Sequence, residues 1–367
     1  MKTGERSEVF FFPYDEGRAF LRGLRTLFSR IDNVISAGDS VAVKVHMGEY
    51  GSSAYLRPPI VHRVCDLIKE AGGKPFVTDT TTLYPARRFT ASQYLATAAF
   101  NGFTEESLGV PVVIADGEQG CDGEWVDIAK RIPDCSLDRI KIARGIFDAD
   151  SMLVLSHVKG HDSSGFGGSI KNVAMGCVTK DSKAAQHRLN RGVIDLSKCT
   201  GCGQCVEACA FKALSLLEEK IARDEEKCMN CNTCLYLCPE GVFSLPPQAK
   251  EVFQVYLAHA TAGVLSRFRS KVAFINFIQD VTPLCDCVAP SGLPVVPDIG
   301  ILASTDIVAI DKASLDLIAQ SKPLGEFANV SSPDILGKMN GTDSLIQIRT
   351  AQELDLGSME YQLHTVD

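Results

Sequence analysis

No stretch of this sequence gathers the roughly 18 apolar residues that a membrane span needs. The opening segment, "MKTGERSEVFFFPYDEG", lacks the apolar run of about 7–15 residues and the small-residue cleavage site of an export signal. Its aromatic run reads better as a first strand, Val9–Phe12, and the expected address is the cytoplasm. A positive excess is missing as well. The net charge is −8, so nothing electrostatic draws the chain to nucleic acid or to an anionic membrane surface. Disorder is excluded by composition, because 45% of the 367 residues are hydrophobic and only 22% charged. That is core enough for one large domain or two to three smaller ones. Neither a dinucleotide fingerprint nor a P-loop occurs.

Cysteine, by contrast, is abundant. Disulfides explain such abundance mainly in small secreted domains with little core. Here the chain is long, and eight of its fourteen cysteines fall between Cys199 and Cys238. Clustering of that kind reads as metal ligation. Two motifs are present, Cys199-x2-Cys202-x2-Cys205-x3-Cys209 and Cys228-x2-Cys231-x2-Cys234-x3-Cys238, the second followed by Pro239. A shift of 29 residues lays one on the other, and carries Ser215 to Ser244 and Leu216 to Leu245. Each unit reads as a cysteine loop, a short helical turn and a strand.

A cubane of four irons and four sulfides needs four thiolates. Three cysteines separated by two residues wrap one face of the cube. The fourth cannot fold back over three residues onto the same cube, so it serves the other, as in bacterial two-cluster ferredoxins. The expected sets are therefore Cys199, Cys202, Cys205 and Cys238 for one 4Fe-4S cluster, and Cys228, Cys231, Cys234 and Cys209 for the second. Zinc is the competing reading. Structural zinc sites use paired short motifs across a long spacer, which two back-to-back four-cysteine runs fit poorly. Ala210 stands where the second motif has proline, so the turn after Cys209 is less rigid.

On either side of this module the texture is that of an α/β protein. Val41–Val45, "KPFVTDT", "GVPVVIADG" and "DSMLVLSH" read as strands, and "PPIVHRVCDLIKEAGG" between them as a helix entered by proline and stopped by glycine. After the module, "AKEVFQVYLAHATAGVL" reads as a helix, "KVAFINFI" as a strand and "DIVAIDKASLDLIAQ" as strand, turn and helix. The tail adds a helix and a last strand, "YQLHTV". Alternation of this kind predicts a mostly parallel sheet with helices on both faces. The expected organisation is a discontinuous α/β body, residues 1–190 and 248–367, with a small α+β ferredoxin-like domain inserted at 191–247.

In "SHVKGHDSSGFGGSIKNVAMGC" a glycine-rich turn precedes a helix-compatible run. Glycines let backbone N–H groups approach an anion, and a helix N-terminus favours negative charge. Gly165, Gly167 and Gly168, with Lys159 and Lys171, are thus candidates for holding a phosphate or carboxylate. The plainer alternative is close packing of the turn on the sheet. Ligands of open α/β sheets bind at the carboxyl ends of strands. Lys44 and His46 follow one strand candidate, Asp79 and Thr80–Thr82 another, His157, Lys159 and His161 a third, while Asp306 and Asp311 flank a fourth. Convergence would put Lys44, His46, Asp79, His161 and Lys171 in one crevice, with Lys44, His46, Asp79 and His161 as catalytic candidates. Cys65, Cys121 and Cys135 sit singly and read as small core residues. Cys285-x-Cys287 could join Cys177 or His161 around a further metal, form a redox pair, or be structural.

These stretches resemble the iron–sulfur branch of the domain-of-unknown-function 362 family, an α/β domain interrupted by a two-cluster ferredoxin module. The resemblance is carried by "VKVHMGE", "KPFVTDTTTLY", "GHDSSGFGGSIKNVAMGC", the double cysteine motif, "TPLCDC" and "PDIGILASTDIVAID", over roughly residues 40–320. It implies the architecture and the two clusters, not a reaction. The leading expectation is a cytoplasmic redox protein. Its clusters relay single electrons from a partner protein to a site in the α/β body that takes an anionic small molecule. The alternative is an electron carrier or redox sensor whose body docks a protein.

Overall fold

A computed structural model describes residues 6–14, 20–133, 135–188 and 191–367. Eight strands form one sheet: β1 (Ser7–Pro13), β2 (Ser40–Val45), β3 (Lys74–Asp79), β4 (Val112–Ile114), β5 (Ser151–His157), β6 (Val272–Ile278), β7 (Gly300–Ser304) and β8 (Tyr361–Thr365). Their spatial order is β8-β1-β7-β6-β5-β2-β3-β4. Only β7 runs against its neighbours, and every other adjacent pair is parallel.

The strands are runs of branched and aromatic residues because both sheet faces are covered. Along β6, Ala273, Ile275 and Phe277 join the core under α1 (Phe20–Phe28), α2 (Pro58–Glu70) and α3 (Ala91–Phe100). Phe274 and Ile278 point the other way, to the core under α4 (Ser169–Gly176), α6 (Ala249–Phe268) and α7 (Ile307–Gln320). Helix α5 (Lys180–Gln186) follows α4. None of the described helices is long and apolar enough to cross a membrane.

One element differs from expectation. "DIVAID" is not a strand but the start of α7, and the strand before it is Gly300–Ser304. Asp306 is the reason. Its Oδ1 accepts the N–H groups of Val308 and Ala309, each at 2.9 Å, which fixes a helix start where a short branched run alone is ambiguous. Cys121 is also not a core residue, since it is exposed, whereas Cys65 and Cys135 are buried.

From β2 the chain moves outward to β3 and β4, then returns to the other side of β2 with β5. The order thus reverses between β2 and β5, and beyond the carboxyl ends of strands at such a reversal open α/β sheets place their ligand sites.

Residues 189–190, at the expected border between body and insert, lie outside the described residues. Beyond them, Val193–Ile194 pairs antiparallel with Phe243–Ser244, and Leu214–Leu217 with Lys220–Arg223. Leu214, Ile221, Val242 and Phe243 form a small separate core against which Cys199, Cys205, Cys209, Cys234 and Cys238 pack. The repeat reaches into the backbone. Gly201 and Gly203 have φ of +74° and +78°, and their equivalents 29 residues on, Asn230 and Asn232, have +57° and +58°. Glycine enters this left-handed region without cost, and asparagine tolerates it best among the rest.

Candidate functional site

Two groups of side chains lie at or near the carboxyl edge of the sheet. The first is the cysteine module. Cys199, Cys202, Cys205 and Cys238 line one cavity, together with Gly201, Gly203, Ile221 and Phe243. The fourth thiol is therefore contributed across the repeat. All fourteen cysteines are free, and burial raises the Cys205 and Cys234 thiols, each further raised by neighbouring sulfurs. Four converging thiols among largely apolar walls, with Glu240 the one carboxylate in the lining, fit an iron–sulfur cluster. Metal charge is what such a crowded set of thiols needs in order to ionise together.

The module rests on the body close to these strand ends. Tyr236, between Cys234 and Cys238, donates to Asp162 Oδ2 at 2.9 Å. Asn230 Nδ2 donates to the Ala184 carbonyl at 3.3 Å, and the rings of Phe211 and Phe89 meet edge-on at 5.9 Å. Asp162 adjoins His161, so the second cysteine loop faces the second group.

That group begins with Lys44 on β2. Its side chain is only 1% exposed, and Nζ lies 2.9 Å from Asp79 Oδ1 at the end of β3. It also donates to Asn172 Oδ1 on α4 at 2.7 Å. The helix can lie this close because residue 176 is glycine, and a Cβ there would overlap Lys44 Cε and Nζ. Asp79 Oδ2 accepts the Tyr94 hydroxyl in a short bond. Burial pushes the Asp79 carboxyl up, but the Lys44 ammonium and the Tyr94 bond hold it below its ordinary value.

His46 is pushed down to about 3 by burial and by the Arg88 guanidinium. Arg88 Nη1 lies 2.9 Å from His46 Nε2, and the Gly48 N–H donates to Nδ1 at 3.1 Å, so both ring nitrogens face donors. Arg88 also grips Glu49 Oε2 at 2.9 Å and the Tyr84 hydroxyl at 2.6 Å.

Asp286 is the hub, with a fully buried side chain. Its Oδ1 lies 2.8 Å from His157 Nδ1, and Oδ2 lies 3.3 Å from Lys159 Nζ and 3.7 Å from His46 Nδ1. Burial opposes its ionisation, but His157 and Lys159 hold it far below the usual carboxylate range. Lys171 Nζ donates to Cys285 Sγ at 3.2 Å. His161, Cys285 and Cys287 bring their ligand atoms within 4.8 Å of one another. His161 is pushed down to about 4 by burial and by Lys171. Cys285 is held well below an ordinary thiol, first by the bond from Cys287 and then, against burial, by Lys171 and Lys159, while Cys287 is raised. The ammonium of Lys171 thus favours the thiolate at Cys285, the sulfur it touches, over Cys287.

Lys44 and Asp79 touch directly. His46 reaches the hub through Asp286, and Lys171 and His161 gather at Cys285. Cys177 is apart, with its sulfur 3.9 Å from Met152 Sδ and its thiol pushed up to about 12 by burial.

The expected anion cradle is corrected in its main part. The first N–H groups of α4, on Ser169 and Ile170, are already taken by the two carboxylate oxygens of Asp311 at 2.7 and 2.9 Å. The chain supplies its own anion there. Gly168 makes room for that carboxylate, and Gly165, with φ +68°, packs against Gly337 and Ser344. Of the three glycines only Gly167 faces the lysines, where an added Cβ would stand 3.6 Å from Lys159 Cε and 3.8 Å from Lys171 Cδ. Sequence reasoning missed Arg88, Tyr94, Asn172 and Asp286. The only available signals were Asp286 between two cysteines and Asn172 beside Lys171.

A model of the family described as a domain of unknown function (DUF362) matches residues 41–316. The thylakoid-associated protein sll1697 of Synechocystis sp. (strain ATCC 27184 / PCC 6803 / Kazusa) is 28% identical over 181 residues, 47% of this chain and 50% of that protein. The chain thus spans half the length of that relative. Ferredoxin-3 of Nostoc sp. (strain PCC 7120 / SAG 25.82 / UTEX 2576) is 29% identical over 73 residues, 15% of this chain and 75% of the ferredoxin. A solved Thermotoga maritima protein aligns over 72% of this chain and 52% of its own at 10% identity, with a TM-score of 0.39.

Proposed function

The chain belongs to the DUF362 family, and from that premise we propose that it is an iron–sulfur oxidoreductase of the cytoplasm. In this reading it takes single electrons from a partner protein and delivers them to a ligand in the crevice between β2 and β5. The observation that carries the reading is the cavity in which Cys238 joins Cys199, Cys202 and Cys205. Cys228, Cys231, Cys234 and Cys209 would hold a second cluster in the same way. Bound there, two 4Fe-4S clusters supply one-electron chemistry.

The chain's own residues do the rest. Tyr236 and Asp162 fix the second cysteine loop against the crevice, which keeps the distance between module and site short. Asp286 holds His157 and Lys159 in place, and Asp79 does the same for Lys44. Lys159 and Lys171 present the positive charge that an anionic ligand would meet beside Gly167. Lys44, His46, Asp79 and His161 are the polar groups left to orient it or to move protons. The low values of His46 and His161 keep both rings neutral at physiological pH.

The test is metal content. Protein purified without oxygen should carry about eight irons and about eight acid-labile sulfides, and should bleach in air. A colourless, air-stable protein holding two zinc ions contradicts the reading.

A further inference from the structure

Cys285 and Cys287 stand out from the other cysteines of the body. Cys65 and Cys177 are buried among apolar groups, and burial pushes both thiols up to about 12. Cys285 is as deeply buried, at 3% exposure, yet Lys171 donates to its sulfur at 3.2 Å. A small hydrophobe needs no ammonium. Cys287 is the outer sulfur, only partly buried. The segment is anchored between them, because Asp286 is held by His157 and its carbonyl accepts the Glu49 N–H at 3.2 Å.

A metal ion fits the trio with His161 less well. Lys171 already brings positive charge to Cys285. His161 Nδ1 is already engaged by the N–H groups of Ser163 and Ser164, both at 3.2 Å, and by Asp162 Oδ1 at 3.3 Å, which leaves only Nε2 for an ion.

We propose that Cys285 and Cys287 are a redox-active dithiol that closes reversibly to a disulfide by exchange with an external disulfide. The inference rests on the electron-transfer reading of the same crevice, and makes this pair its two-electron end. Cys287 passes its proton to Cys285 and attacks the external disulfide, forming a mixed disulfide and releasing one thiolate. Cys285 then attacks Cys287 Sγ, closes the internal disulfide and gives its proton to the second leaving thiolate. Two electrons pass from the pair to the external disulfide, and one thiol and one thiolate leave. Closure also removes the negative charge that Lys171 faces, so its ammonium becomes available to an anion only in the oxidised state.

The experiment uses anaerobically purified protein equilibrated in glutathione and dithiothreitol buffers of graded ratio, then acid-quenched and alkylated. Trypsin releases residues 272–312, a peptide with Cys285 and Cys287 and no other cysteine. It should pass from two alkyl groups to none, losing two hydrogens, in a single two-electron transition. In Cys285→Ser the outer sulfur should keep glutathione as a mixed disulfide, and in Cys287→Ser the buried sulfur should take none. Lys171→Met should slow alkylation of the reduced pair at neutral pH about tenfold. Two alkyl groups at every ratio overturn the proposal. So does a bound zinc ion that shields both sulfurs. Iron and sulfide are measured in the same samples. A pair that cycles in protein without iron contradicts the cluster reading and upholds the dithiol.

Discussion

Replacing Lys44 by methionine keeps the length of the side chain and removes the charge that Asp79 faces at 2.9 Å. The aspartate is 4% exposed, so solvent cannot take over from the lysine. Breaking a buried pair by removing one member costs about 3–5 kcal/mol. For a body of this size that is a fall in melting temperature of about 5–10 °C. The sign with pH separates this cause from a packing defect. In the wild type the Asp79 carboxyl lies below its ordinary value, so its contribution is present above about pH 4 and is lost as pH falls through the folded value. In Lys44→Met burial is no longer offset by the lysine, and the carboxyl rises. Its penalty is then full near neutrality and fades as pH falls towards about 4. Anaerobic thermal melts followed by circular dichroism at pH 4.5, 6 and 7.5 measure the difference. Lys44→Met with Asp79→Asn should recover most of the loss at pH 7.5. A deficit that is the same at all three pH values, or is not relieved in the double variant, refutes the argument.

Asp311→Ala should cost about 3 kcal/mol or more, because the Ser169, Ile170 and Asn276 N–H groups lose a buried acceptor together; denaturation midpoints will read it. Gly176→Ala should cost about 1–3 kcal/mol and move Lys44, since the new methyl overlaps its ammonium; the same melts, with a structure of the variant, check both effects.

What the sequence revealed was local. The strands of the body announced themselves as branched and aromatic runs, and the cysteine repeat as spacing, because each signal lies within a few residues. The left-handed equivalents Asn230 and Asn232 of Gly201 and Gly203 follow from the same 29-residue shift. The site was legible in its strand-end members, in Lys171 and in the Cys285-x-Cys287 pair. Asp311 caps a helix 142 residues away, and His157 meets Asp286 at a separation of 129. No pattern along the chain encodes such pairings, because the fold alone brings them together. "GFGG" was misleading for the same reason. Its glycines do open a helix terminus, but the anion they admit comes from α7. "DIVAID" misled through its branched residues, while Asp306 at its head carried the true signal, a helix cap.

Crossed ligation is the claim on which the rest depends, and one comparison tests it directly. Cys238→Ser, Cys202→Ser and Cys231→Ser are purified without oxygen and reduced, and their electron paramagnetic resonance spectra are compared. The account predicts that Cys238→Ser reproduces the spectrum of Cys202→Ser, because both perturb the cluster whose cavity they share. A Cys238→Ser spectrum that instead matches Cys231→Ser, its neighbour in sequence, contradicts it.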